Sequence, residues 1–404
     1  MSTIDFDPLA PAQRENPFDV LAAARREQAV FFAQALGLWV VTRHEDVLTV
    51  LKDHRTFSSA GALKSSLEPL PPEVVEILEG GSPEMPYIIE LDPPLHDRIR
   101  RLVTTAFTPR RIASLEPRVA RIASKLIDGF ERDGHADVIE RFAWPLPLRV
   151  LGELVGVPEQ DLEQLHRWGT DWLLLQQQQP LERQLELAHS VVAMQRYFVD
   201  LVERRLEEST DDLVGAMVAA RAEIDPPLDA VEIAGLPLDL MVAGHVTVTR
   251  AIGSTLSRVF DDPRLRDHLL DPETLPSAIE EILRLESPAQ GLFRVTTREA
   301  ELGGVTLPAG ARVMAHFASA NRDGCVFAAA DDYDPLRADL GKHLAFGKGI
   351  HFCIGAPLGR LELAVALPLL LRRLPGLRRG AGPAEREEVF FARGFRTLPV
   401  EWDA

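Results

Sequence analysis

Residues 346–360 read Phe346-Gly-Lys-Gly-Ile-His-Phe-Cys353-Ile-Gly-Ala-Pro-Leu-Gly-Arg360 and contain one of the two cysteines of the chain. Glycines on both sides of Cys353 let the backbone turn sharply and approach neighbouring segments closely. An apolar helical run begins near Leu358, so backbone N–H groups and the positive end of a helix dipole would point toward the cysteine. These surroundings favour a thiolate over a thiol. The alternative to a functional thiolate is an ordinary buried free cysteine in a turn.

Composition places the chain among soluble globular proteins. Of its 404 residues, 46% are hydrophobic and 26% are charged, and no window has the roughly 18 uncharged apolar residues of a membrane span. The formal net charge of −17 argues against a nucleic-acid partner. No secretory signal is visible at the N-terminus, and two cysteines do not make a disulfide framework. We therefore expect a cytoplasmic protein without a membrane or nucleic-acid partner, and a monomer.

Hydrophobic periodicity predicts a mainly α chain with minor β structure, in one domain over residues 1–404. Predicted helices lie at 18–26, 47–51, 73–78, 96–103, 116–132, 144–154, 161–175, 181–207, 229–260, 276–285 and 358–371. Predicted strands lie at 30–32, 38–41, 294–297, 300–302, 305–307 and 312–317, with a last hairpin formed by 389–391 and 398–402. The β-rich parts are thus roughly 28–60, 290–320 and 388–402. Residues 58–86 are rich in Gly, Pro and Ser, which is typical of a functional surface loop.

The longest predicted helix begins with Asp229 and Glu232, whose spacing is that of an N-terminal capping pair. A helix from there to residue 260 would be about 45 Å long. Pro237 predicts a kink near its start. Residues 240–247 are apolar on most sides, which predicts a helix buried all round.

The pattern Phe346-x-x-Gly349-x-x-x-Cys353-x-Gly355 resembles the haem-binding loop of the cytochrome P450 family, and the resemblance extends over essentially the whole chain. It implies the family's mainly α, triangular-prism fold. It also implies haem b as cofactor, with the Cys353 thiolate as the fifth ligand of the iron. Phe346, Gly347 and Gly355 would form the rest of the loop, and Phe346 and Phe352 would shield the sulfur from water.

Two further sets of residues match the family. Glu281 and Arg284, three apart on one helix face, and Arg337 resemble its structural Glu-Arg-Arg network. Basic residues stand where the family binds the two haem propionates, and charged donors suit carboxylates in an apolar cavity. These residues are His96, Arg100, Arg294 and His351.

The long helix matches the family's distal, oxygen-binding side. Ala243 and Gly244 would leave room beside the haem, and Thr247 would supply the hydroxyl that supports dioxygen activation. The sequence departs from the family at Val246, where an Asp or Glu usually belongs to the proton relay. Because valine cannot carry a proton, delivery would need water, His245 or another group. A structural role is favoured for His245.

The resemblance also implies, approximately, which segments would line the substrate pocket. They are the loop before the basic helix, a helix pair around 168–187, the distal helix, the strand near 290 and the last hairpin. The residues concerned are Met85, Tyr87, Ile88, Ile89, Val242, Val246, Gln290, Leu292, Phe293, Phe391 and Ala392. Since most of them are apolar, they indicate a hydrophobic small molecule.

The resemblance implies a monooxygenase that inserts one oxygen atom from dioxygen into its substrate. No dinucleotide fingerprint or cysteine cluster is visible, so electrons from NAD(P)H would arrive through a reductase and an acidic ferredoxin. Basic residues would steer the ferredoxin, namely Arg98, Arg101, Arg110, Arg111, Lys342, Lys348 and Arg360. Val246 prompts an alternative, a haem-thiolate enzyme that uses hydrogen peroxide. A third alternative is a non-enzymatic haem-thiolate carrier of a ligand.

Overall fold

The computed structural model describes residues 4–63, 69–176 and 179–403. Its α-helices are α1 (Pro11–Glu15), α2 (Phe18–Glu27), α3 (His44–Lys52), α4 (Pro72–Glu79), α5 (Leu95–Ala106), α6 (Pro109–Ala113), α7 (Glu116–Asp128), α8 (Pro145–Val155), α9 (Leu162–Leu175), α10 (Leu181–Glu207), α11 (Leu213–Ala220), α12 (Ala230–Asp261), α13 (Pro263–Leu270), α14 (Leu275–Glu286), α15 (Phe317–Ala320) and α16 (Ala356–Arg373). A mainly α chain is therefore confirmed.

The strands are short. They are β1 (Val30–Ala33), β2 (Leu38–Val41), β3 (Phe57–Ser58), β4 (His135–Asp137), β5 (Gly291–Thr296), β6 (Ala300–Leu302), β7 (Val305–Leu307), β8 (Arg312–His316), β9 (Arg378–Arg379), β10 (Glu385–Arg386), β11 (Phe395–Thr397) and β12 (Pro399–Glu401). The largest sheet has the order β1-β2-β8-β5-β3, in which β2 and β8 are parallel and the other neighbours are antiparallel. Gly303 and Gly304, both with positive φ, form the turn between β6 and β7, as the sequence predicts.

By the contacts among its residues, the described chain divides into two compact units. The sheet unit comprises residues 4–58, 116–146 and 247–403, and the helical unit comprises 59–115 and 147–246. In the sheet unit, the side chains of Val47, Val50 and Leu51 on α3 pack on the apolar face of the large sheet, and Leu344 joins the same core. The core therefore reaches to within a few residues of the glycine-rich loop. In the helical unit, α10 packs against α4, α9 and α11.

The capping pair at the start of α12 forms as predicted. The Glu232 N–H donates to Asp229 Oδ1 (2.8 Å), and the Asp229 N–H donates to Glu232 Oε2 (3.0 Å). The helix continues through Pro237 for 32 residues. Among the described helices it alone meets the length and composition of a membrane span, but 56% of that apolar window is buried inside the protein. It is a core helix.

The predicted last hairpin is wrong. The segment 389–391 is not a strand; β10 pairs with β11 instead, and β12 pairs with β4 and β9. The apolar side chains of this segment are used for packing, since the rings of Phe390 and Phe391 lie 5.7 and 6.2 Å from that of Phe293. The strands that form are too short and too polar to be recognised from an apolar pattern, and β4 and β9 fall outside the predicted β-rich parts.

Candidate active site

The glycine-rich loop is shaped by backbone hydrogen bonds and left-handed glycines. A 3-10 turn spans Gly349–His351, and the Cys353 N–H donates to the Phe346 carbonyl at 2.9 Å. Gly347 and Gly349 have φ of 67° and 76°, a region that other residues rarely adopt. Cys353 is half-buried and lies three residues before α16. That helix begins two residues earlier than predicted, because Pro357 is tolerated in a first turn, where its missing N–H has no helical partner.

Gly349 anchors this loop on the end of α3, and its replacement tests the anchor. A Cβ there would lie 2.3 Å from the Leu51 carbonyl oxygen, and left-handed backbone and overpacking together should destabilise Gly349→Ala by about 2–5 kcal/mol. Urea denaturation measures the loss. Gly341→Ala is the matched control, because a Cβ at Gly341 meets no atom within 4 Å. Equal stability of the two variants would contradict the close contact.

A second anchor joins the loop to α14. Glu280 accepts hydrogen bonds from Arg360 Nε (2.5 Å) and Nη2 (2.7 Å), and its Oε2 lies 2.8 Å from His343 Nε2. Burial opposes ionisation of Glu280, but hydrogen bonds from Arg360 and His343 outweigh it and lower its pKa to about 2. The Arg360 guanidinium also lies 4.3 Å above the ring of Phe346. The Glu280 carboxylate therefore holds both His343, which lies just before the loop, and Arg360 at the end of the loop.

A buried ion-pair network lies next to this cluster. Arg284 donates to Glu281 through Nε (2.7 Å) and Nη2 (2.8 Å), and Arg337 Nε lies 3.1 Å from both carboxylate oxygens. The remaining donors of both arginines reach backbone carbonyls, including those of Asn321, Ala328 and Ala330. The structure thus brings together Glu281, Arg284 and Arg337, and their donors hold the chain between β8 and the glycine-rich loop.

The middle of α12 has one accessible face. Ala243 is exposed, and Val246 and Thr247 are half-buried, whereas Met241, Val242, His245 and Val248 are buried. The sequence prediction of a helix buried all round is therefore wrong for this face. The exposed Ala243 marks a side of this core helix that the other described residues leave partly open to solvent.

Comparison with known proteins identifies what this arrangement belongs to. A family model described as "Cytochrome P450" matches residues 267–375. The chain is 40% identical over 370 residues to mycinamicin IV hydroxylase/epoxidase of Micromonospora griseorubida, covering 90% of this chain and 89% of that protein. It is 37% identical to cytochrome P450 107B1 of Saccharopolyspora erythraea, covering 98% of this chain and 96% of that one. The structure of CYP109Q5 from Chondromyces apiculatus superposes with a TM-score of 0.88 at 36% identity, covering 99% of both chains.

The chain belongs to the cytochrome P450 family. The fold class that the sequence predicts is thereby confirmed, and the P450 is a monooxygenase with haem iron as its cofactor. This sets aside the non-enzymatic carrier. Within each unit, the described residues fit such a group: a half-buried cysteine in a rigid loop in one, and an open helix face at Ala243 in the other.

The predicted propionate donors of the P450 come from both units. In the sheet unit, Arg294 is a buried residue of β5 whose Nη1 donates to the Phe293 carbonyl at 2.6 Å, and His351 is half-buried in the 3-10 turn of the loop. In the helical unit, His96 is buried on α5 with Nδ1 2.9 Å from Asp97 Oδ1. Arg100 lies one turn after His96 and is half-buried. An imidazole and a guanidinium group on adjacent turns of α5 can both donate hydrogen bonds to a bound carboxylate.

Three residues of the predicted distal helix have neighbours on α8 or α9. A Cβ at Gly244 would lie 3.0 Å from Leu151 Cδ1 on α8, so this glycine admits α8 rather than a ligand. Val242 is buried, 3.5 Å from the position of a Cβ at Gly169 of α9. The ring of His245 lies 5.7 Å from that of His166 on α9, which agrees with the structural role favoured from the sequence.

The predicted substrate contacts form one group in each unit. In the sheet unit, the Gln290 N–H donates to the Phe391 carbonyl (2.8 Å), Ala392 forms a bridge with Ala289, and Leu292 is half-buried in β5 beside Phe293. In the helical unit, Met85 packs near Gly235 of α12, and Ile89 lies with Ile88 in a 3-10 turn.

The loop formed by residues 82–88 of the helical unit is hydrogen-bonded to α10 and α12. Gln195 of α10 accepts from the Ser82 N–H (3.2 Å) and donates to the Tyr87 hydroxyl (2.9 Å), while the Ile88 N–H donates to Asp239 of α12 (2.6 Å). Sequence reasoning missed Asp239. The signal was present, since it is a lone acid between Leu238 and Leu240 in an apolar run.

The basic residues predicted to steer a ferredoxin differ in their ion pairs and in their exposure to solvent. Arg98 contacts Glu232 (3.4 Å) and Arg360 contacts Glu280 (2.5 Å), while Arg111 lies 3.7 Å from Asp211. The residues exposed to solvent are Arg101 and Arg110 in the helical unit and Lys342 and Lys348 in the sheet unit.

Proposed function

We propose that this P450 inserts one oxygen atom from dioxygen into a small molecule that is apolar over most of its surface. Electrons would come from NAD(P)H through a reductase and an acidic ferredoxin. We further propose that it acts in secondary metabolism as a cytoplasmic monomer, and that both units belong to one P450 domain. The relative from Micromonospora griseorubida supports the reaction class by its name, which describes a hydroxylase and epoxidase.

The observation that carries the proposal is the accessible face of α12 at Ala243, Val246 and Thr247. Cys353 would hold the iron, with Phe346, Gly347 and Gly355 shaping its loop, while His96, Arg100, Arg294 and His351 would bind the propionates. The haem would supply the activation of dioxygen. Thr247 would place its hydroxyl on the ligand side, and apolar neighbours such as Val246 would exclude water there.

A spectral screen tests this proposal. Apolar compounds that displace water should shift the ferric haem from low to high spin, and a bound compound should be converted to an oxygenated product with NADH, reductase and ferredoxin. Thr247→Ala should lower product formed per NADH consumed. Full coupling in that variant would contradict the role given to the hydroxyl.

Val246 favours a second function, direct use of hydrogen peroxide, which needs little proton relay. A placed general acid contributes about 10²–10⁴-fold to proton-transfer rates. Val246→Asp should therefore raise dioxygen-dependent turnover relative to peroxide-dependent turnover by at least about tenfold. Product formed with redox partners and with peroxide alone, measured in both proteins, gives this ratio.

Val246→Leu is the matched control, because it changes size without adding a titratable group. Its ratio should stay at the wild-type value. An unchanged ratio in Val246→Asp would show that protons already reach the site by another route, and absence of any peroxide-driven product in the wild type would end the second proposal.

A further inference from the structure

Asp239 lies on α12, one helical turn before Ala243. Its Oδ2 accepts the Ile88 N–H at 2.6 Å, and within the described part of the chain this is its one hydrogen bond. Its neighbours in sequence are Leu238 and Leu240. Despite these surroundings, Asp239 keeps accessible surface. The carboxyl group therefore has an oxygen left for another partner.

Holding the loop does not explain why this residue is an acid. An amide or hydroxyl oxygen would accept the Ile88 N–H equally well, and Gly235, one turn earlier, already brings Pro86 close: a Cβ at Gly235 would lie 2.0 Å from the Pro86 carbonyl oxygen. The surroundings of Asp239 instead oppose ionisation of its carboxyl group. Burial, with a smaller contribution from the charge of Glu90, raises the pKa of Asp239 to about 8, against the hydrogen bond from Ile88.

Helix geometry places Asp239 on the accessible face. Residues four apart share a face, so Asp239, Ala243 and Thr247 form one row, with Ala243 about 6 Å and Thr247 about 12 Å along the axis from Asp239. Direct proton transfer needs about 3 Å between heavy atoms, which rules out Asp239 as an immediate donor to Thr247. The spacing instead suits contact with a different part of a ligand that reacts near Ala243 and Thr247.

We propose that Asp239 determines specificity by binding a cationic amine group of the substrate, on the side remote from the oxidised carbon. This inference rests on the proposed function and narrows its substrate class from apolar molecules in general to apolar molecules that carry a protonated or quaternary amine. A cation is favoured over a hydroxyl because Glu90 adds negative charge, and no cationic group of the described residues is among those that shift the pKa of Asp239. Arg98 is already occupied by Glu232 and the Pro226 carbonyl.

The test measures ligand binding to the haem-loaded protein. A panel of alkyl- and arylalkyl-trimethylammonium ions is matched with neutral analogues in which carbon replaces nitrogen; these cations have no lone pair with which to ligate iron. Dissociation constants come from the ferric spin-state shift and, independently, from equilibrium dialysis. The wild type should bind the better cations at least about tenfold more tightly than their neutral partners, as expected for a desolvated charge pair. In Asp239→Asn the ratio should approach one.

The asparagine variant separates charge from tethering, because its amide oxygen still accepts the Ile88 N–H. Asp239→Leu loses both. A cation preference that survives in Asp239→Asn and disappears in Asp239→Leu would assign Asp239 to loop positioning and overturn the inference. Failure of every cation to bind, or a preference for the neutral partners, would overturn it as well.

A pH series adds an independent readout. A carboxyl with a pKa of about 8 is mostly neutral at pH 7 and ionised at pH 9, so cation affinity should rise by up to about tenfold over this range in the wild type. Asp239→Asn should show no rise. Tyr87 and His166, with pKa values of about 12 and about 4, do not titrate in this window.

The reduced carbon monoxide spectrum is recorded on the same samples. Absence of the thiolate Soret band in the wild type would mean that the proposed function has failed. A normal band without cation preference would overturn the inference on Asp239 alone.

Discussion

Cys353→Ser should abolish the red-shifted Soret band of the reduced carbon monoxide complex and lower turnover by more than about 100-fold. Loss of groups that merely support metal ligands typically costs about 10–100-fold in affinity or activity, and the ligand itself should cost more. Serine keeps the shape of the side chain but is not ionised at neutral pH, so it cannot supply the electron density that favours cleavage of the O–O bond. Difference spectra and turnover with redox partners measure the two effects.

Cys325→Ser is the natural control. Cys325 is the other cysteine of the chain and is exposed in a turn, so its replacement should change neither the spectrum nor the turnover. If Cys353→Ser retained the red-shifted band, the assignment of the iron ligand would fall.

Arg284→Ala should unfold a large part of the P450 population or prevent haem uptake. Arg284 and Glu281 have fully buried side chains, and removing one member of a buried ion pair typically costs about 3–5 kcal/mol because the other charge stays unpaired. Here Asn321, Ala330 and Asp332 also lose a donor to their carbonyl groups. A loss of this size is a large share of the roughly 5–15 kcal/mol that stabilises a typical domain.

Urea denaturation and the haem content of purified protein measure this effect. Arg264→Ala is the control, because Arg264 pairs with Asp262 at the solvent-exposed start of α13 and should change neither quantity measurably. Wild-type stability in Arg284→Ala would mean that the network is dispensable. If Arg284→Ala stayed folded and stable but lost haem, the role of the network would be limited to holding the glycine-rich loop.

The sequence predicts the parts of this molecule that depend on local chemistry. Gly303-Gly304 predicts its hairpin because both residues take positive φ, and Asp229 with Glu232 predicts the start of α12 because the two side chains cap each other's backbone. The loop at Cys353 is predictable for the same reason. Each signal lies within a few residues of the structure that it specifies.

What the sequence misses depends on distant partners. Val389–Phe391 is apolar enough for a strand, but its aromatic rings are needed against Phe293, nearly 100 positions earlier in the chain. Gly244 is small because Leu151 lies against it. Arg360 belongs to an ion pair with Glu280, 80 positions away. In each case the residue type is clear from the sequence, whereas the neighbour that gives it a role is set by the tertiary structure.

Gln195 couples movement of α10 to movement of the segment 82–87 in the helical unit. Its side-chain amide holds the backbone of Ser82 on both sides, accepting from the N–H and donating to the carbonyl, as well as the hydroxyl of Tyr87. Any outward movement of α10 at this point must therefore either break these hydrogen bonds or carry the segment 82–87 with it. Helix and loop consequently form one cooperative unit of local opening, so that displacing the segment 82–87 alone costs its hydrogen bonds to Gln195.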